Sequence, residues 1–108
     1  MNMRIGKIYF YNKPTDMRKS FDSLGMLVEQ EFKGELLSGA CFVFVNRSRT
    51  YIKVLYWDED GFVIWQKRLE RGTFNVYWNG KKKLERREFV MLLEGITPKK
   101  LSRRYRAV

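Results

Sequence analysis

Histidine is absent from the 108 residues, and cysteine occurs once. Without imidazole the chain lacks the side chain that most often exchanges protons near neutral pH, and the commonest metal ligand. A single thiol closes no internal disulfide and builds no thiolate zinc site, which fits a reducing compartment. Composition therefore excludes triad hydrolases, zinc modules and disulfide scaffolds, and no cofactor or metal is expected. Long apolar runs are missing as well. The longest charge-free stretch, residues 36–46, falls far short of the ~20 residues that span a bilayer. Near the start, Lys7 interrupts the apolar stretch and Asn12-Lys13-Pro14 ends it, which is not the pattern of a signal peptide. A soluble cytoplasmic protein without membrane contact is the expectation.

What is present is aromatic and basic. Three Trp, six Tyr and eight Phe stand in a chain that is 44% hydrophobic, enough for a packed core. The length suits one small domain, expected over residues 1–98, followed by a basic tail at 99–108. Lys and Arg outnumber Asp and Glu by 22 to 12, a net charge of +10. Such a surplus points to nucleic acid, an anionic membrane surface or an acidic protein as partner. Two runs concentrate it, Lys81-Lys82-Lys83 and Lys99 to Arg106, and no acid follows Glu94.

Residues 5–11 are rich in β-formers and read as a first strand, closed by Asn-Lys-Pro. Met17, Phe21, Leu24, Val28 and Phe32 then recur at helical spacing, with Ser20 or Thr15-Asp16 as possible caps and Gly34 as the terminating glycine. Gly25, inside this helix, suggests close packing against the sheet. From Ala40 the period becomes two. Residues 41–46, 51–57, 62–69 and 73–78 read as four strands joined by short turns, hence an antiparallel meander. Asn79-Gly80 supplies a further turn, and a second helix over about 85–94 turns Phe89, Leu92 and Leu93 inward. The fold class is α+β: an antiparallel meander of four to five strands packed with two helices.

Four-residue loops would set Asn46 opposite Tyr51 and Trp57 opposite Phe62. One sheet face then collects Cys41, Val43, Val45, Ile52, Val54, Tyr56, Val63, Trp65 and Leu69; it is nearly all apolar and should pack on the first helix. The other collects Phe42, Phe44, Tyr51, Lys53, Leu55, Trp57, Phe62, Ile64, Gln66 and Arg68. That mixed face has two readings. It is a working surface, with Phe44, Tyr51 and Trp57 meeting a partner while Lys53 and Arg68 neutralise phosphates. Or it is a second core layer beneath the first strand and the C-terminal helix, with the cations reaching out at its edge.

Arg47 and Arg49 at a hairpin tip could enter a groove or clamp phosphates, and Arg71 adds to the basic set. Lys99, Lys100, Arg103, Arg104 and Arg106 form a purely electrostatic arm without apolar period. The lysine run reads as a solvated turn, and Asp58-Glu59-Asp60-Gly61 as a β-turn, since it lacks calcium-loop spacing. Asp16 and Asp22 read as helix caps rather than metal ligands. Cys41 alternates with Val43 and Val45 and reads as an inert core residue. No catalytic residues emerge.

Several ordered stretches resemble a known family. Thr15-Asp16-Met17-Arg18-Lys19-Ser20-Phe21-Asp22, Phe42-Val43-Phe44-Val45-Asn46-Arg47 and Ile52-Lys53-Val54-Leu55-Tyr56-Trp57-Asp58 are similar to the accessory protein of bacterial insertion sequence 66 elements. Asp60-Gly61-Phe62, Lys67-Arg68-Leu69-Glu70-Arg71-Gly72 and Leu92-Leu93-Glu94-Gly95-Ile96 continue the likeness, which runs from about Lys13 to Ile96. Two departures stand out: Ser23, where the family usually has Gly, and a lysine-rich connection over 79–86 lacking the proline often found before the last helix. The resemblance implies a non-enzymatic factor for transposition, encoded beside a separate transposase. DNA of the element ends and that transposase are the implied partners.

Overall fold

The computed structural model describes residues 6–94. Five strands and two helices follow in the order β1 (Ile8–Phe10), α1 (Phe21–Glu31), β2 (Cys41–Val45), β3 (Tyr51–Asp58), β4 (Gly61–Arg68), β5 (Lys83–Leu84) and α2 (Arg86–Leu93). They form an α+β fold around one mostly antiparallel sheet of order β4-β3-β2-β1-β5.

The hairpin register is the one that the alternation implies. The Asn46 N–H donates to the Tyr51 carbonyl at 3.1 Å, and Trp57 pairs with Phe62. The second pairing continues to Asp58 and Gly61, leaving only Glu59 and Asp60 between strands, with Glu59 at φ 56°. β1 departs from the expected meander. It lies parallel to β2, with Ile8 beside Cys41 and Phe10 beside Val43, so β1, α1 and β2 make a strand–helix–strand crossover.

That crossover reverses the expected packing of the two faces. Leu24, Val28 and Phe32 of the α1 region cover Phe42, Phe44 and Leu55, the mixed face. The Cys41, Val43, Val45, Ile52 and Val54 face is covered by Phe74, Val76, Phe89 and Leu92. A crossover between parallel strands of one sheet has a single strongly preferred hand, so the β1–β2 pairing dictates which face the helix takes. Both faces are apolar enough to accept a helix, which is why composition could not choose. The mixed face is thus a core layer, but α1 covers it rather than the first strand and the C-terminal helix.

Residues 73–78 form no strand. Phe74 and Val76 are buried while Asn75 and Tyr77 are exposed, so the alternation is real, but it records one-sided burial without a ladder. The Phe74 N–H goes to the Arg49 carbonyl at 2.6 Å and the Asn79 N–H to the Asn12 carbonyl at 3.0 Å. The segment crosses the sheet face instead of extending its edge. The place beside β1 is taken by Lys83 and Leu84, which pair with Tyr9 and Ile8. The lysine run is solvated, with all three residues exposed, but it is more than a turn: Lys81 meets Glu88 at 2.7 Å, Lys82 pairs with Glu31, and Lys83 enters β5.

Local details follow the same pattern of partial agreement. Ser20 is the N-cap residue of α1, and its N–H donates to the Ser23 hydroxyl at 3.0 Å. The serine that departs from the family pattern therefore serves the helix start. Asp16 caps no helix but binds Arg18. Gly25 faces Leu36 rather than the sheet, since a Cβ there would sit 3.8 Å from its Cδ2. A Cβ at Gly80 would sit only 3.1 Å from the Tyr77 carbonyl oxygen, and Gly34, Gly39 and Gly72 take φ of 81°, 88° and 76°, so replacement is strained at each of these positions.

Candidate nucleic-acid interface

The β2–β3 turn owes its shape to Asn46. Its side-chain oxygen accepts the N–H groups of Thr50 at 2.9 Å and Tyr51 at 3.1 Å, and its amide donates to the Thr50 hydroxyl at 3.2 Å. The Arg49 N–H returns to the Asn46 carbonyl at 3.0 Å, and Arg49 takes φ 59°. These bonds close the loop from inside, and Arg47 and Arg49 are left exposed.

Sheet register brings further cations to the same end. Arg68 pairs with Tyr51 at the base of this hairpin, and it is exposed, with Glu70 at 3.7 Å. Arg71 follows on the next turn, three residues before the Phe74 N–H that binds the Arg49 carbonyl. Four sequence-identified arginines therefore converge at one end of the sheet. Tyr51 is half-buried there.

Other predicted contacts lie elsewhere. Phe44 has no exposed surface, which removes it from any contact face. Lys53 is 7% exposed, and its ammonium donates to the Lys19 carbonyl at 2.7 Å, so it ties β3 to the approach of α1 instead of meeting phosphate. Trp57 is half-buried and meets Phe62 edge-on with ring centroids 5.0 Å apart. It is six residues along β3 from Tyr51, about 20 Å away at strand rise, beside a recess of about 840 Å³ that Lys7, Glu35 and Tyr56 help to line. Lys99, Lys100, Arg103, Arg104 and Arg106 lie outside the described residues.

The sequence gives no warning of one further segment. Residues 14–19 return along the hairpin, with the Thr15 N–H on the Val45 carbonyl at 2.9 Å, and an open groove of about 610 Å³ runs between Pro14, Asp16, Met17 and Arg47. This brings Arg18 and Lys19 to the arginine end. Their arrival depends on the parallel β1–β2 pairing, which no local motif announces. Asp16 holds Arg18 through its side chain and its backbone N–H, which lowers the carboxyl to about 2 and raises the guanidinium. The two ends of the long hairpin consequently differ in charge: arginines at one, Asp58, Glu59 and Asp60 at the other.

The family model described as "IS66 Orf2 like protein" matches residues 6–103. The chain belongs to this family. Membership implies an accessory role in the transposition of an insertion sequence. Two proteins of Sinorhizobium fredii are similar. The uncharacterized protein y4hO is 38% identical over 68 residues, 63% of this chain and 59% of that protein. The uncharacterized protein y4jC is 27% identical over 92 residues, 83% of this chain and 79% of that protein. The alignment with y4hO thus spans under two thirds of its length. No solved structure matches. Among the described residues no helix is long and apolar enough to cross a membrane.

Proposed function

We propose that this protein is a non-enzymatic accessory factor that binds DNA of the element ends through the arginine end of its sheet and works beside the separate transposase. The convergence of Arg47, Arg49, Arg68 and Arg71 carries this reading. Guanidinium groups present forked donors suited to phosphate oxygens and to guanine edges, and the net charge of +10 adds long-range attraction. The basic run at 99–106 contributes further phosphate contacts.

The test compares two double variants. Arg47→Ala with Arg49→Ala should weaken binding to a duplex of the element end by about 2–4 kcal/mol if both arginines make bidentate contacts. Lys81→Ala with Lys82→Ala should change it little, because both lysines are already held by Glu88 and Glu31. Equal losses would reduce both to diffuse electrostatics, and no binding at low salt would end the DNA reading.

A second reading rests on the recess beside Trp57. Half-buried aromatic rings next to polar groups suit a protein interface, and the transposase is the natural occupant. Co-purification with the transposase, with and without end DNA, separates the two. Loss of the complex in Trp57→Ala, with DNA binding unchanged, would favour docking.

A further inference from the structure

The two edges of the sheet are unequal. β5 offers two residues, whereas β4 at the other edge offers eight. Natural sheets protect long edges with bulges, prolines or short strands. β4 has none of these: its pairing with β3 runs unbroken from Gly61 to Arg68, and the chain's two prolines stand at 14 and 98. Its only charged residues, Lys67 and Arg68, stand at its end and leave Phe62 to Gln66 without a protecting charge.

The hydrogen-bond phase shows which groups face outward. The Leu69 N–H bonds the Thr50 carbonyl, and alternation along an antiparallel ladder then directs Val63, Trp65 and Lys67 toward β3. The backbone groups of Phe62, Ile64, Gln66 and Arg68 point to the open edge. Charge is distributed to match. Asp58, Glu59 and Asp60 stand at the start of the strand; Arg68 and Arg71 stand at its end. Glu70 lies 3.7 Å from Arg68 and the Lys67 ammonium is held by the Leu93 carbonyl at 3.0 Å, yet the two ends keep opposite net charge.

From this we infer that β4 is a self-association edge, pairing antiparallel with β4 of a second copy about a two-fold axis near Ile64 and Trp65. Antiparallel pairing lays the acidic turn of each copy against the basic end of the other, twice. Parallel pairing would set like charges together. An isologous contact of this kind closes on itself and leaves only the short β5 edges exposed. Arg68 and Arg71 serve both this contact and the DNA reading, so self-association would compete with DNA for them, and the test contains no DNA.

Sedimentation of the full chain should show a dimer that dissociates on dilution and more readily in high salt. Arg68→Glu with Arg71→Glu, and separately Asp58→Lys with Asp60→Lys, should each weaken self-association at least about tenfold through repulsion. An equimolar mixture of the two should restore a dimer, since their ends are again complementary. Circular dichroism checks that each variant is folded. Should one fail to fold, Gln66→Pro removes an outward N–H while sparing the β3 ladder, and a monomer is expected. A wild type monomeric at its highest soluble concentration would overturn the inference. So would a dimer indifferent to these changes, or a mixture that fails to re-associate; either would leave the edge to a strand of another protein.

Discussion

Asp16 accepts the Arg18 backbone N–H at 2.9 Å and its guanidinium at 2.6–3.1 Å. These bonds favour the carboxylate and lower its titration to about 2. A lowered folded value means that the contribution is present above the ordinary carboxylate range and is lost as pH falls toward 2. An NMR titration of the Asp16 carboxyl should place its midpoint near 2, and Arg18→Ala should return it toward the ordinary value. The same pairing occupies Arg18 at neutral pH. Arg18→Ala should therefore reduce DNA affinity less than Arg47→Ala, since the Arg47 guanidinium pairs with no acid among the described residues. Cys41 behaves differently. Burial pushes its thiol up to about 11, so an aromatic disulfide reagent near neutral pH should react only after the chain unfolds. Rapid labelling of the native protein would contradict that packing.

At the scale of elements, α1 decides what Phe44 does, and place along β3 decides Trp57. Phe44 stands beneath the helix with Tyr11 at a ring-centroid distance of 5.6 Å. Truncating it should cost about 3–5 kcal/mol, as other buried aromatic truncations do, a large part of the ~5–15 kcal/mol that such a domain commands. Trp57→Ala should cost clearly less, because its ring is half-buried at the strand's far end. Trp65 packs against the other core layer while half-buried, so Trp65→Ala should fall between them. Urea denaturation of the three variants checks the order. A Phe44 variant as stable as wild type would mean that α1 does not seal this face. The segment over 73–78 shows the converse case, where Phe74 and Val76 contribute burial without any strand.

For the whole molecule, charge placement is the property with consequences. All twelve acids lie between Asp16 and Glu94, while the residues after Glu94 carry only cations. Removing residues 99–108 should weaken DNA binding and flatten its dependence on salt. The log–log slope should shrink by about 0.9 for each phosphate that the tail no longer neutralises. The melting temperature should stay nearly constant, because the segment has no apolar period to add to either core layer. A large fall in melting temperature would assign it a structural role. Unchanged DNA affinity would leave binding to the arginine end alone.

Much of this protein was legible along the chain. Alternation from Cys41 to Leu69 set the hairpin register and separated the two faces, because a strand with a period of two admits few pairings that keep its apolar residues together. Helical spacing located α1 and α2, and ordered motifs around Asp16, Asn46 and Asp60 pointed to the family. What tertiary structure decided was assembly. Parallel pairing of β1 with β2 sent α1 to the face that buries Phe44 and Lys53, and it brought residues 14–19 beside Arg47. Lys83 and Leu84, not residues 73–78, became the fifth strand. These outcomes turn on the hand of a crossover and on competition for one sheet edge, and both are long-range choices that local periodicity does not encode.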